Sequence, residues 1–395
     1  MLTVFNTDSR RKMEPWFHIV RRTDCPVWEA MLFRAGAILL GLILICLLFF
    51  FSSGANPGEV FTELFSGSFG SSRRIWITFR DTSMILLVSI ALVPAFKMKF
   101  WNLGGNGQIL IGALVAIACM LFMGQSGIPD WIIILVMVPS SILAGAVWAA
   151  IPAFFKAFFN TNESLFTLMM NYIASGIVAV FLSGVVSSGS GTLNLISEGN
   201  LPTIGDNIYL LTIIVSVVMY IISNLYLHFS KHGYELSVVG ESTNTAKYIG
   251  INVKKVIIRT MLLSGGICGL VGLLFAGGID HTITTETAKN YGFTAIMVAW
   301  MSHLNPAALL FTSFLVAFLS RGVSQAQTAF GVSNDSISSI ALGLIYFSII
   351  AVEFFISYKV IFRKRGSSGA KGNPFLIKKD LGKDPDTIKT SKEAR

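Results

Sequence analysis

The chain has 395 residues, of which 53% are hydrophobic and 13% are charged; its mean hydropathy is +0.68 and its net charge +9. Soluble globular domains carry about 25% charged residues, so this composition excludes an ordinary soluble domain and predicts a polytopic membrane protein. The positive charge flanks apolar runs and forms no stripe interleaved with aromatic residues. It therefore predicts cytoplasmic flanks in contact with the lipid bilayer and no nucleic acid partner.

The cysteines give no sign of a metal or disulfide framework. Cys25, Cys46, Cys119 and Cys268 are far apart, and no Cys-x-x-Cys or Cys/His spacing occurs. We expect them to be small apolar packing residues. No metal and no cofactor is therefore predicted.

The first 34 residues are polar and basic, which predicts a cytoplasmic N-terminal segment, 1–34. The first span is expected at Ala35–Phe51. Ser52–Arg80, rich in Ser, Gly and Phe, is predicted to be an external loop. The second span is expected at Thr82–Phe96, and it ends in two lysines.

The remaining apolar runs complete an all-α, polytopic fold of about ten membrane helices with both termini cytoplasmic. They lie at Ile109–Met123, Trp131–Phe155, Leu165–Val185, Ile208–Leu227, Val256–Gly277, Phe293–Met301, Pro306–Leu319 and Ile337–Tyr358. The stretch Arg321–Asp335 is predicted to be a polar loop. The transmembrane domain is expected to cover 35–361, and the basic tail 362–395 to be a disordered cytoplasmic extension.

The longest strongly polar stretch between two spans of the second half is 228–255, which we call the polar segment. Within it, Ser242 or Thr243 is a candidate helix cap, Ala246 and Ile249 give a small apolar face, and Gly250 is a candidate helix stop. A two-turn helix is marginal when isolated in water. The segment is therefore either a solvated cytoplasmic loop or a peg that docks into a soluble partner beneath the membrane.

Two membrane stretches are interrupted by Gly, Asn or His between short apolar halves, at Lys99–Ile111 and Met301–Pro306. Unwound backbone at membrane depth is tolerated only beside protein or a water-filled cavity, and paired interrupted segments indicate a transport pathway. Asn102, Asn106 and Gln108 are the candidate pathway-lining groups of the first stretch. The alternative is a tight turn between helices.

Asn171 lies inside the span Leu165–Val185, where a neutral amide faces the bundle and seeks a partner. It either lines the pathway or hydrogen-bonds a neighbouring helix. His303 is expected to be a side chain at the membrane boundary, and the alternative is a ligand or a proton carrier.

Motifs for energy conversion and catalysis are missing from the sequence. The predicted spans are almost bare of charge, no GxxxxGK[ST] loop is present to cradle ATP phosphates, and no catalytic constellation occurs. The chain is therefore predicted not to be an enzyme. A pathway without its own energy source is either passive or driven from outside, which favours the docking interpretation of the polar segment.

Four motifs in order resemble those of one transporter family. They are Asn102-Leu103-Gly104-Gly105-Asn106-Gly107-Gln108, Met170-Asn171-Tyr172-Ile173-Ala174, Val239–Val253, and Gly292–Ala299 followed by Asn305-Pro306. The chain is similar to permease subunits of bacterial ATP-binding-cassette (ABC) importers, in the nucleoside and simple-sugar branch (ribose-type, branched-chain amino acid permease-like). One departure is Asn106, where the family signature has an acidic residue.

The resemblance implies a ten-helix permease of the bacterial cell membrane that carries a nucleoside or a related simple sugar. Its partners would be ATP-binding cassette ATPase subunits, a second permease (identical or homologous) and an extracellular substrate-binding lipoprotein. The positions matching the family's ATPase-coupling loop are Gly240, Glu241, Ala246, Lys247, Tyr248 and Gly250.

Two other classes of function stay open at this point. A stand-alone secondary transporter or channel for a small polar solute is the main alternative, and the scarcity of charge in the predicted spans argues against a proton-coupled version. A membrane-embedded enzyme would need clustered His, Asp or Glu at the membrane surface, and none is evident in the sequence.

Overall fold

The computed structural model describes residues 17–21, 26–186, 193–205, 207–332 and 335–362. Most of the basic N-terminal segment, residues 187–192 and the tail after Phe362 lie outside the described residues. The chain divides into two units, Arg34–Ala351 and the combination of Met1–Phe33 with Val352–Arg395.

The described residues are nearly all helical, as the sequence predicts. The helices are α1 (Val27–Ser53), α2 (Pro57–Phe69), α3 (Ser72–Lys97), α4 (Gly105–Gln125), α5 (Asp130–Phe159), α6 (Glu163–Val185), α7 (Leu210–Phe229), α8 (Lys231–Glu241), α9 (Thr243–Tyr248), α10 (Val253–Phe275), α11 (Tyr291–Met301), α12 (Pro306–Ala329) and α13 (Asp335–Ser357). A π-helical turn, Ala276–Asp280, continues α10. In the smaller unit, strand β1 (Phe17–Arg21) pairs antiparallel with β2 (Tyr358–Phe362).

Within the described residues, eight helices are long and apolar enough to cross a membrane. They are Leu32–Ser53 of α1, then α3, α4, α5, α6, α7, α10 with its π-helical turn, and α12. Two shorter apolar helices, Tyr291–Met301 and Ile337–Val352, add to them.

Polar caps fix where several helices begin. Asn162 starts α6 by accepting a hydrogen bond from the Leu165 N–H at 3.1 Å, and Asn252 starts α10 through the Lys255 N–H at 3.1 Å. Asn305 caps α12 and is followed by Pro306 at the first helical position. Such caps satisfy backbone N–H groups that have no partner inside the helix.

The predicted external loop Ser52–Arg80 is wrong, because most of it is helical. Asn56 caps α2 and Pro57 occupies its first position, while Ser71 caps α3. The buried side chains of α2, which include Val60 and Leu64, form only a short stripe. Ser and Gly residues lie beside them in the sequence. The second span consequently begins at Ser72, ten residues before the predicted Thr82.

The predicted polar loop Arg321–Asp335 is also largely helical, because α12 continues to Ala329. Its polar side chains have partners: Arg321 binds the Asp81 carboxylate, and Gln325 donates to Glu63 at 3.1 Å. The apolar run Pro306–Leu319 is thus part of a 24-residue helix, whereas the run Phe293–Met301 corresponds to the 11-residue α11.

Helices α4, α5 and α10 form the centre of the larger unit, and glycines let their backbones touch. A Cβ added at Gly145 of α5 would lie 2.3 Å from the Gly265 carbonyl oxygen of α10, and one added at Gly269 would lie 2.4 Å from the Ser141 carbonyl oxygen. Small residues at crossings are the usual means by which membrane helices pack closely. This packed centre supports the interrupted segment that precedes α4.

Candidate functional site

The first interrupted segment is held by hydrogen bonds from its own amides. The Asn102 Oδ1 accepts from the Gly104 N–H at 3.0 Å, which bends the chain into the start of α4. The Asn102 Nδ2 donates to the Ser264 hydroxyl of α10 at 3.2 Å, and the Gln108 Nε2 donates to the Asn102 Oδ1 at 3.2 Å. The segment is thus fastened to α10 at the centre of the bundle.

Asn171 bonds a neighbouring helix, which was one of its two predicted roles. Its Oδ1 accepts from the Gly107 N–H at 2.8 Å, and its Nδ2 donates to the Leu103 carbonyl at 2.9 Å. Glycine at 107 is needed for this approach, since a Cβ there would lie 2.9 Å from the Asn171 Oδ1. The side chain from α6 therefore acts as a cap for α4, whose own preceding residue, Gly104, offers no side-chain oxygen.

Asn106 joins the first interrupted segment to the start of α11. Its Oδ1 accepts from the Gly292 N–H at 2.7 Å and its Nδ2 donates to the Asn290 Oδ1 at 3.3 Å. The first turns of α4 and α11 therefore meet, and their backbones almost touch: a Cβ at Gly292 would lie 2.5 Å from the Asn106 nitrogen. Two helix N-termini, each a partial positive charge, converge on this one amide.

We refer to Asn102, Asn106, Gln108 and Asn171 as the amide cluster. The structure brings all four together, and each is at most 9% exposed. Their hydrogen-bonding groups are directed at protein in this conformation, so a pathway-lining role stays a prediction.

A cavity of about 440 Å³ lies beside the two interrupted regions. Its lining includes a stacked pair, Trp101 and Trp300, with ring centroids 5.0 Å apart and planes 21° apart. The rest of the lining is Phe96, Lys99, Phe100, Ala299, His303 and Leu304. His303, predicted at the membrane boundary, is exposed there, and its Nε2 lies 2.8 Å from an Arg34 guanidinium nitrogen.

The polar segment contains two short helices, α8 and α9. Ser242 caps α9 through the Thr245 N–H at 3.2 Å, and Gly250 ends the turn with φ +85° and an N–H donated to the Lys247 carbonyl. Both features were predicted from the sequence. The predicted apolar face is only partly correct, because Ala246 is buried whereas Ile249 is 51% exposed.

The six candidate coupling residues divide into two groups. Gly240 and Ala246 are buried, and Ala246 belongs to a hydrophobic core that contains Ala95, Met98 and Val256. Gly240 packs so closely that a Cβ there would lie 1.9 Å from the Lys97 carbonyl oxygen. The remaining four, Glu241, Lys247, Tyr248 and Gly250, are exposed.

The expectation that the spans are nearly bare of charge is wrong at one place. Asp81 of α3 is buried and accepts from the adjacent Arg80 at 2.7 and 2.9 Å, and the Arg321 Nε of α12 donates to its second oxygen. The Arg80 guanidinium also lies over the Tyr209 ring, 5.1 Å from its centroid. Buried charges persist in membranes when paired. Sequence reasoning missed this cluster because Asp81 and Arg321 were both placed outside the spans.

Comparison with known proteins gives the class of this chain. The family described as "Branched-chain amino acid transport system / permease component" matches residues 75–352, and the chain belongs to that family. It is a multi-pass plasma-membrane protein and the permease component of an ABC importer. It is not an enzyme: ATP hydrolysis is performed by a separate ATPase, and such permeases work with ATPase and substrate-binding partners.

Individual relatives cover most of the chain. It is 28% identical to the guanosine ABC transporter permease protein NupP of Bacillus subtilis, over 80% of this chain and 93% of that one. It is 25% identical to the nucleoside ABC transporter permease protein NupB of Lactococcus lactis, over 81% of this chain and 90% of that one. It is 26% identical to the glucose ABC transporter permease protein TsgB13 of Haloferax volcanii, over 78% of this chain and 84% of that one. No solved structure matches the chain.

Proposed function

We propose that this permease forms the translocation pathway for a nucleoside, or a related simple sugar, and that its polar segment docks on the ATPase. The observation that carries the proposal is the two-sided construction of α9. Ala246 is fully buried, whereas Tyr248, two residues later, is 93% exposed. A short helix gains stability from such anchoring. Its outer face is then a preformed surface for a soluble partner.

The cargo is proposed from the relatives. Two of the three described above are named for nucleosides or guanosine and one for glucose. These names favour a nucleoside as the first candidate and a simple sugar as the second.

We propose ten membrane helices, the eight long ones together with α11 and α13, with both termini in the cytoplasm. In this topology 35–361 is the transmembrane domain, 228–255 its cytoplasmic coupling loop, and 1–34 and 362–395 are cytoplasmic. The lysines support it, because Lys97 and Lys99 at the end of α3 fall on the same side as Lys254 and Lys255 at the start of α10.

A second permease, identical or homologous, and an extracellular substrate-binding lipoprotein are the further partners that we propose. Helices α5, α6 and α7 carry many exposed apolar side chains, among them Leu143, Val147, Phe154, Val180 and Ile222. These faces suit lipid on one side of the bundle and a sister permease on the other.

The mechanism we propose is alternating access. ATP binding draws two ATPase subunits together, and the docked polar segments transmit that movement to α3 through the contact between Gly240 and the Lys97 carbonyl. The amide cluster lies where the first turns of α4 and α11 meet. Separation of α4 from α11 would release hydrogen-bonding groups of Asn106 toward the cargo.

The docking proposal is tested by Tyr248→Ala in the assembled importer, reconstituted with its ATPase and binding protein. Loss of a central exposed tyrosine at an interface is expected to lower uptake by about tenfold or more. The amount of folded permease should not change, because 93% of this side chain is exposed. Tyr172→Ala removes another exposed tyrosine, on α6, and should leave uptake normal.

Two other variants in the polar segment would be less informative. Ala246 is buried and Gly250 has φ +85°, so Ala246→Trp and Gly250→Pro would disrupt the segment itself. Lys247→Glu is the better companion, because it reverses a charge on the exposed face. Normal ATP-driven uptake by both Tyr248→Ala and Lys247→Glu would contradict docking.

A further inference from the structure

The 440 Å³ cavity beside the interrupted regions has the size of a small-molecule site, since such pockets span about 300–1,000 Å³. Its lining comes from the end of α3, the first interrupted segment and the end of α11. Three residues there have left-handed backbone: Lys99, His303 and Leu304, with φ of 59°, 49° and 59°. Non-helical backbone of this kind faces protein or water, not acyl chains. The cavity is therefore a poor lipid site.

The cavity is lined mainly by flat aromatic rings. Trp101 and Trp300 are stacked on each other, yet they remain 41% and 49% exposed, so ring surface is left for a further partner. Phe96 packs at the edge of Trp101, with centroids 6.1 Å apart. The polar groups of the lining include the Lys99 ammonium and the His303 imidazole.

We propose that this cavity binds the planar heteroaromatic base of a nucleoside by stacking on the Trp101–Trp300 pair. The inference rests on the proposed function and narrows its cargo to a nucleoside. Every base has an aromatic face that stacks on tryptophan. Lys99 donates to ring-nitrogen and carbonyl acceptors on the edge of the base.

A simple sugar fits this lining poorly. Each sugar hydroxyl needs a hydrogen-bonding partner, and hydroxyls buried against Phe96, Phe100 and Ala299 would find none. In a nucleoside, the base would occupy the aromatic part and the ribose would face the opening of the cavity. The proposed topology places the ends of α3 and α11, and with them the cavity, toward the cytoplasm. The cavity would then hold cargo at the inner end of the pathway, before release.

The test measures equilibrium binding of tritiated guanosine and uridine to the permease–ATPase complex in lipid nanodiscs, without nucleotide and without the binding protein. Trp300→Leu is expected to weaken binding of both nucleosides about tenfold, as loss of a stacking face does. Trp300→Phe keeps a ring and should weaken binding less, which covers the case in which the leucine variant fails to fold. Trp131→Leu removes an exposed tryptophan on α5 and should have no effect.

Competition by unlabelled D-ribose and D-glucose, together with uptake measurements, distinguishes a failure of the base-stacking inference from a failure of the proposed function. If Trp101→Leu and Trp300→Leu bind and import nucleosides normally, stacking is refuted and the proposed function stands. If ribose or glucose displaces guanosine at equal concentration, the cavity is a sugar site and the base-stacking inference is overturned. If the assembled wild-type importer moves neither nucleoside nor sugar, the proposed function itself fails.

Discussion

The amide cluster and the polar segment are both polar regions of a hydrophobic protein, and they are built in opposite ways. In the cluster every residue is buried, and Asn102, Asn106 and Asn171 use both ends of the amide within the protein. In the polar segment only the attachment points Gly240 and Ala246 are buried among the candidate residues, and the charged and aromatic groups face outward.

This contrast indicates that the polar groups of the two regions serve different purposes. The cluster stabilises an irregular backbone that is buried in the helical bundle, because unpaired groups there are costly. The segment keeps its outward groups for a partner, while its anchors hold the backbone in place. Substitutions in the cluster should therefore act on stability first, and substitutions on the exposed face of the segment should act on coupling first.

The largest loss of stability is expected for Asn171→Ala. The change leaves the Gly107 N–H and the Leu103 carbonyl without their partners in a buried site. Each unsatisfied group costs roughly 1–3 kcal/mol, so the total loss is at least about 2 kcal/mol. Thermal unfolding of the purified permease in detergent should show a clearly lower midpoint.

Asn244→Ala is the matched control, because this asparagine is exposed on α9 of the polar segment. Its unfolding midpoint should equal that of the wild type. Equal midpoints for Asn171→Ala and the wild type would show that the cluster contributes little to stability.

A smaller loss is expected for Gly240→Ala, at the attachment of the polar segment. The new methyl group would lie 1.9 Å from the Lys97 carbonyl oxygen, so α8 has to move away from α3. Forced repacking of this kind costs about 1–3 kcal/mol. Stability should fall moderately, whereas the ratio of molecules imported to ATP hydrolysed should fall strongly.

Gly176→Ala provides the comparison for this variant, since a Cβ at that position meets nothing within 4 Å. It should leave both the unfolding midpoint and the transport ratio unchanged. A Gly240→Ala protein with a normal transport ratio would remove the proposed mechanical contact between α8 and α3.

The local features of both regions were predictable from the sequence, because they depend on near neighbours. The cap at Ser242, the stop at Gly250 and the interruption around Asn102 each follow from residue types within a few positions. The contacts between Asn106 and Gly292 and between Trp101 and Trp300 join positions almost 200 residues apart. No periodicity in the chain encodes such pairings.

Two errors had the same physical origin. The polar residues of α2 and of the second half of α12 suggested loops, yet they are used inside the protein: Gln325 meets Glu63, and Arg321 meets Asp81. A single sequence shows that a residue is polar. It does not show that the partner of this polar residue lies on another helix.

The pH dependence of stability should differ between the buried His232 on the inner face of the polar segment and an exposed histidine nearby. His232 of α8 is buried, its Nε2 lies 3.1 Å from the Thr260 hydroxyl, and its Nδ1 lies 3.8 Å from Glu235. Burial, reinforced by the positive charge of Arg259, lowers the pKa of His232 below its ordinary 6.5, although Glu235 opposes this shift.

The unfolded chain therefore binds this proton more readily than the folded chain does. The stabilising contribution of neutral His232 is complete above about pH 6.5 and declines as the pH falls through the lowered pKa. His232→Gln should unfold at a midpoint that changes less between pH 7.5 and pH 5.5 than that of the wild type. His228→Gln, at an exposed histidine nearby, should keep the wild-type dependence.

The smallest effect is expected for Asn106→Asp, which restores the acidic residue of the family signature. The carboxylate keeps the acceptor for the Gly292 N–H and places a negative charge at the first turns of α4 and α11, where the helix dipoles stabilise it. It loses the donor to Asn290 and brings two oxygens together there. These changes oppose each other, and each amounts to about 1 kcal/mol. The unfolding midpoint at pH 7.5 should therefore stay close to that of the wild type, whereas Asn106→Leu, which leaves the Gly292 N–H unpaired, should lower it. An aspartate variant as unstable as the leucine variant would show that Asn106 serves the junction as a donor and not as an acceptor.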